Sequence, residues 1–272
     1  MIQLVKKGKT IERNNQRPLP KETVKLLMAS LVQNVHTDIF WHSKILYKMG
    51  ETALPELVES IVSYDWSNVE NKGQIRQLCG IASLINDIDE KTCKKTVQTI
   101  YNKGCTRVVK QCLNSVVSFT LKDYRSYQIV NINIYISKDF KDTETIYDQL
   151  KKWLSNVPKD DFTEIDRIYI IPDQTNYLYR GTYMPVLSYI TLIWDVEHIK
   201  SLFWKRINLL TIEHTLYHEF GHHHYKHTFG QDETQEMEAD KYAAALIKKA
   251  HPYLNILMSP LRLFKKRTKP EI

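Results

Sequence analysis

The chain has 272 residues, 43% of them hydrophobic and 11% aromatic, which is enough apolar material to fill two cores rather than one. No apolar run approaches the roughly 18 residues that span a bilayer, and the polar, basic stretch Met1 to Pro20 lacks the apolar centre of a secretory signal, so a cytoplasmic protein without a transmembrane segment is expected. The formal charge of +7 lies wholly in the first half, where residues 1–125 hold 19 Lys and Arg against 12 Asp and Glu, while residues 126–272 balance.

Residues 1–20 form a basic polar segment. Its Lys6, Lys7, Lys9, Arg13 and Arg17, with Lys21 and Lys25 just beyond, suit an acidic partner, although a solvated tail is the plainer reading. Zinc-finger, RNA-binding and helix-turn-helix patterns are missing, so no specific nucleic acid is predicted.

Residues 21–125 read as successive amphipathic helices, with Leu, Ile and Val at three- and four-residue spacings. Breaks fall near Gly50, Asp65 to Gly73, Asp87 to Asp89, and Gly104. Tyr47-x-x-Gly50-x-Thr52 recurs as Tyr101-x-x-Gly104-x-Thr106, which hints at a duplicated helical hairpin. The run Gly50, Ala53, Pro55, Leu57, followed by Arg76, Ala82, Leu84 and Ile85, resembles a HEAT repeat over residues 35–121; a generic helical bundle is the rival form. Either form offers a surface for a protein regulator or substrate rather than chemistry. Cys79, Cys93, Cys105 and Cys112 never approach CxxC spacing and are expected to be reduced core thiols.

Past Tyr124 the pattern changes, which places a boundary near residue 125. Ile129 to Ile136 alternates as one half-buried strand, Asp142 to Leu154 reads as a helix, and Arg167 to Ile171 and Val186 to Trp194 read as further strands. The tyrosine-rich segment Thr175 to Tyr183 would line a cleft or form an aromatic turn. Next comes a helix from about Leu209 to Tyr225 carrying His218-Glu219-Phe220-Gly221-His222, then a second from Glu233 to Lys249 carrying Glu236-Met237-Glu238-Ala239-Asp240. Beyond it, Leu254 to Arg267 mixes apolar and basic side chains.

The first of these motifs has the form HExxH, which chance would place in roughly one chain in fifty of this composition, so a chemical reason is preferred. Residues four apart share a helix face, so His218 and His222 can bind one zinc ion while Glu219 reaches the water on it. A catalytic zinc needs a third protein ligand. The extended form HExxHxxGxxH is excluded, because Tyr225 and Thr228 stand where it requires glycine and histidine. His227 is one residue short of that position and is a weak alternative ligand. Glu236 on the second helix is the better one, with Asp240 on the same face to accept a hydrogen bond from a ligand imidazole. Glu238 points elsewhere and reads as a solvated carboxylate.

Together the two motifs resemble the gluzincin metallopeptidases, whose signature is HExxH followed on a second helix by ExxxD; the likeness covers residues 126–250. It implies a zincin-like domain over residues 126–272, with a small mixed sheet over the motif helix and Val186 to Trp194 as the edge strand bordering the cleft. The fold class expected is therefore α+β. The resemblance also implies Zn2+ held by His218, His222 and Glu236, Glu219 as general base, Asp240 behind a ligand, and hydrolysis of peptide bonds in a protein or peptide substrate. The oxyanion donor stays open among His223, His224, His227 and Tyr242. His214, one turn before His218, is expected to pack above the site, and Gly221 to admit close approach of the sheet. The rival reading is a non-catalytic helical scaffold carrying a silent zincin domain.

Overall fold

The computed structural model describes residues 19–69, 71–117, 120–173, 180–228 and 233–253. The basic positions from Lys6 to Arg17, the stretch from Thr175 to Tyr179, and Leu254 to Arg267 lie outside them. The chain is α+β, with helices first and a five-stranded mixed sheet after them. No helix among the described residues is long and apolar enough to cross a membrane.

Six helices come first: α1 (Pro20–Gln33), α2 (His36–Met49), α3 (Leu54–Val62), α4 (Lys72–Ile88), α5 (Glu90–Lys103) and α6 (Arg107–Val117). Their ends follow local chemistry. Pro20 opens α1, a reciprocal Asn71–Gln74 capping box opens α4, and the Asp89 carboxylate accepts from Thr92 N–H at the start of α5. Gly50 and Gly104, the two glycines of the Tyr-x-x-Gly-x-Thr pair, end α2 and α5 with φ of 57° and 91°, a region open to glycine. Helix α1 packs on α2, α3 and α4, and α4 packs in turn on α3, α5 and α6. Leu27, Leu31, Leu46, Leu57, Leu78, Ile81 and Leu113 fill the space between.

Contrary to the expectation of reduced thiols throughout, Cys79 of α4 and Cys112 of α6 form a disulfide, with Cα atoms 6.2 Å apart. The pairing follows from the side-by-side packing of these helices, which residue spacing along the chain does not announce. It removes the cysteine-based argument for a reducing compartment. Cys93 is free and buried, and burial pushes its thiol up to about 12.

The sheet runs β1-β2-β3-β5-β4, where β1 is Tyr124–Ile129, β2 Ile132–Ser137, β3 Arg167–Pro172, β4 Gly181–Met184 and β5 Tyr189–Trp194. The inner strands β2, β3 and β5 are parallel, and β1 and β4 are antiparallel edges. Helix α7 (Thr143–Leu154), capped by Asp142, links β2 to β3. Helices α8 (Leu202–His224) and α9 (Glu233–Ala250) follow β5. Ile134, Ile136, Ile168, Ile170, Ile190 and Leu192 line one face of the sheet and pack with Ile146 and Leu150 of α7 and with Leu216 and Phe220 of α8.

Two strand expectations are corrected. Ile129 to Ile136 is not one strand: Ile129 pairs with Ile132, so Val130 and Asn131 form a two-residue turn between β1 and β2. Val186 to Trp194 is neither all strand nor the edge. It turns first, with Leu187 and Ser188 at φ of 62° and 46°, and β4 lies outside it. Val186 and Leu187 instead plug the core of the helical hairpins, where the missing side chain of Gly80 leaves Val186 its room. Apolar character drew both residues inward, but into the other core.

Val130 is β-branched, 68% exposed and held at φ 55°, a region where such residues are strained by about 1–3 kcal/mol. Val130→Asn is therefore expected to stabilise the protein by about 1 kcal/mol and raise the melting midpoint by roughly 2–4 °C. An unchanged or lower midpoint in thermal unfolding would show that the turn is not strained there.

Candidate metal centre

Helices α8 and α9 cross at Gly221. A Cβ there would lie 2.8 Å from the Cα of Ala239 and 3.0 Å from its carbonyl oxygen, so the glycine admits the backbone of α9, not the sheet as expected. This contact sets α9 against the HExxH face and brings the three expected ligands together. One ligand atom from each of His218, His222 and Glu236 falls within 4.8 Å of the other two. Nε2 of His218 and Nε2 of His222 are 3.0 Å apart; the Glu236 carboxylate lies 3.2 Å from the first and 3.7 Å from the second.

The hydrogen bonds behind the imidazoles decide where their protons sit. Asp240, a carboxylate that only accepts, lies 2.8 Å from Nδ1 of His218, so that in the neutral ring the lone pair sits on Nε2. On the other side, Nε2 of His227 lies 3.0 Å from the Glu238 carboxylate, which only accepts, so His227 donates there and offers a lone pair at Nδ1. That lone pair lies 2.9 Å from Nδ1 of His222, which must donate and so leaves its own Nε2 bare. Burial, then the neighbouring His218 and His227, hold the His222 imidazole down at about 4, so it carries no extra proton near neutrality.

With the rings in these neutral tautomers, two imidazole nitrogens and the Glu236 carboxylate lie close enough together to hold a metal ion. A tetrahedral ion with bonds of about 2.0–2.2 Å spaces its donors roughly 3.3–3.6 Å apart. The observed 3.0, 3.2 and 3.7 Å bracket that range. Two imidazoles and one carboxylate are a donor set that zinc accepts.

Glu219 lies against β4, with its carboxylate beside Gly181, and is 6% exposed. Its carboxylate accepts from the Tyr183 backbone N–H and would collide with any side chain at Gly181. Burial, opposed by that bond and reinforced by Glu236, pushes its pKa up to about 8. The strand beside it is laid out for an extended partner. Ile193 N–H donates to the Arg180 carbonyl, so the alternation of an antiparallel ladder turns the main-chain groups of Gly181 and Tyr183 away from β5, where the Tyr183 N–H meets Glu219.

The four oxyanion candidates are engaged elsewhere. His223 donates to the Thr163 carbonyl and accepts from the Tyr183 hydroxyl, which in turn meets His36 of α2 at 2.8 Å. Burial holds both His36 and His223 at about 4 and therefore neutral. His224 and Tyr242 both bond Asp161, and His227 stands behind His222. His214 is half-buried near Asp240 and His218, its pKa lowered by burial.

Sequence reading missed three participants. Glu238 is no idle carboxylate but the acceptor for His227, His227 supports a ligand instead of being one, and Tyr183 ties the edge strand to α2 and α8. The sequence signal for the first two was modest: a histidine five residues past His222 at a helix end, and an acid two residues past Glu236. No protein-family model, no curated protein and no solved structure matches this chain.

Proposed function

We propose that the chain is a zinc-dependent peptidase, most simply an endopeptidase, of the gluzincin kind. The observation that carries the reading is the convergence of two proton-free imidazole nitrogens and one carboxylate, with a second, buried carboxylate one residue from a ligand. His218, His222 and Glu236 would hold Zn2+. When bound, the ion lowers the pKa of its water to near 7 and polarises the scissile carbonyl.

Glu219 accepts the proton of the attacking water and returns it to the leaving amine. An extended substrate pairs with the outward main chain of β4 at Gly181 and at the Tyr183 carbonyl, so that recognition rests on peptide main chain. The stacked hairpins α1–α6, read as HEAT-like, present a surface for a protein substrate or regulator. A silent scaffold is the poorer reading, because burying a carboxylate such as Glu219 costs folding energy that a purely structural metal site has no use for.

Purified chain is expected to hold about one zinc and, loaded with it, to cleave peptides. Glu236→Gln is expected to lose zinc more readily than Glu238→Gln. Absence of bound zinc after metal reconstitution overturns the site, and zinc without cleavage of any peptide in a broad panel overturns the peptidase.

A further inference from the structure

We propose that His227 and Glu238 form a positioning relay that fixes the tautomer and aim of His222, and that this relay, more than Asp240, sets how firmly the metal is held. The inference rests on the metal-site reading given above and assigns to the same site His227, outside both motifs, and Glu238, at a variable position of the second.

The relay is built by the way α8 ends. Tyr225 N–H donates to the Gly221 carbonyl, Lys226 N–H to that of His223 and His227 N–H to that of His222. Lys226 takes the left-handed conformation at φ 57°. This is the crossed-over helix end usually made by glycine. It reverses the chain and lays the His227 ring back against the ring of the ligand it follows, with centroids 5.0 Å apart. The Tyr225 ring stacks on the far side of His227 at 5.6 Å, and Lys226 is tied to Glu164. His227 is thereby 4% exposed, and among the described residues its polar side-chain partners are His222 and Glu238.

Contact is made on Nδ1 of His222, the edge of the ring opposite the nitrogen that faces Glu236. His227 therefore acts through His222 and not beside it. The two imidazoles are also supported unequally. Asp240, behind His218, has its side chain 63% exposed, so water can replace it; that of His227 is 5% exposed, and water cannot enter without opening the turn. Without an acceptor in that place, the Nδ1 proton of His222 would be buried and unpaired, which favours the opposite tautomer and puts a proton on the ligand nitrogen.

The test uses the full chain and zinc, with affinity read by competition against a chromophoric chelator. His227→Phe fills the space but accepts no bond; it is expected to weaken zinc binding about 10–100-fold, and more than Asp240→Asn does. His227→Gln, whose amide oxygen can accept from Nδ1, is expected to regain part of the loss. Cobalt-loaded His227→Phe should keep the intense visible bands of a four-coordinate ion, since no ligand is removed. Nitrogen-15 spectra of the metal-free wild type should show His222 protonated at Nδ1 and His227 at Nε2. Zinc affinity of His227→Phe within about twofold of wild type, or the opposite tautomer at either ring, overturns the relay. A wild type that binds no zinc overturns the proposed function instead, and the tautomer spectra still decide the relay, as they do if His227→Phe fails to fold.

Discussion

Glu219→Gln is expected to keep its zinc and to lose peptide hydrolysis by about 10²–10⁴-fold, the usual weight of a positioned general base. The amide preserves the shape of the side chain in the gap against β4, and its oxygen can still accept from Tyr183 N–H, so the edge strand should stay in place. What is lost is the capacity to take a proton. The same variant makes a separate statement about folding. In the metal-free chain the Glu219 carboxyl sits at about 8 against an ordinary 4.5, so between those values the folded protein keeps a proton that the unfolded chain releases. Wild-type stability must then fall as pH rises from about 4.5 to 8, and the Gln variant should lack that slope. Hydrolysis at wild-type rate would remove Glu219 from the chemistry; identical pH–stability curves would remove its burial from the account.

Arg167→Ala is expected to cost about 3–5 kcal/mol, the largest effect on stability of any single change discussed. Arg167 opens β3 and is 4% exposed. It donates to Asp87 of α4 at 2.9 Å and to its neighbour Asp166 at 2.8 Å, while Lys44 of α2 reaches Asp166 at 2.8 Å. Removing the guanidinium leaves Asp87, whose pKa burial already raises, without its counter-charge. The cluster joins the helical hairpins to the sheet, so the loss should appear as one earlier unfolding transition of the whole chain in denaturant. Arg167→Met combined with Asp87→Leu is expected to regain most of the loss, because no buried charge is then stranded. A double variant as unstable as Arg167→Ala would mean that packing, not charge, carries the contact.

The cluster of candidate ligands was legible in the sequence because it is written in residue type and helical period. Two histidines four apart and an acid four before Asp240 keep their meaning on any pair of packed helices, and His218, His222, Glu236 and Asp240 meet as that pattern implies. What escaped depended on neighbours distant in sequence or on backbone that residue type does not announce. His227 comes into play only because Lys226, not a residue that marks a reversal, adopts φ 57°. Val130 hid a turn inside an alternating run in the same way. The disulfide needed α4 and α6 side by side, and the true edge strand needed a four-residue segment, Gly181 to Met184, too short to register as a strand.

The meeting of Gly221 with Ala239 carries a mechanical consequence. Because the two helices touch backbone to backbone, a single register seats three of the acids of α9 at once: Glu236 toward the imidazoles, Glu238 under His227, Asp240 under His218. The three are gears on one shaft. A shift of one residue along α9 would disengage them together, so the three contacts should form and break as one unit at the scale of the helix pair.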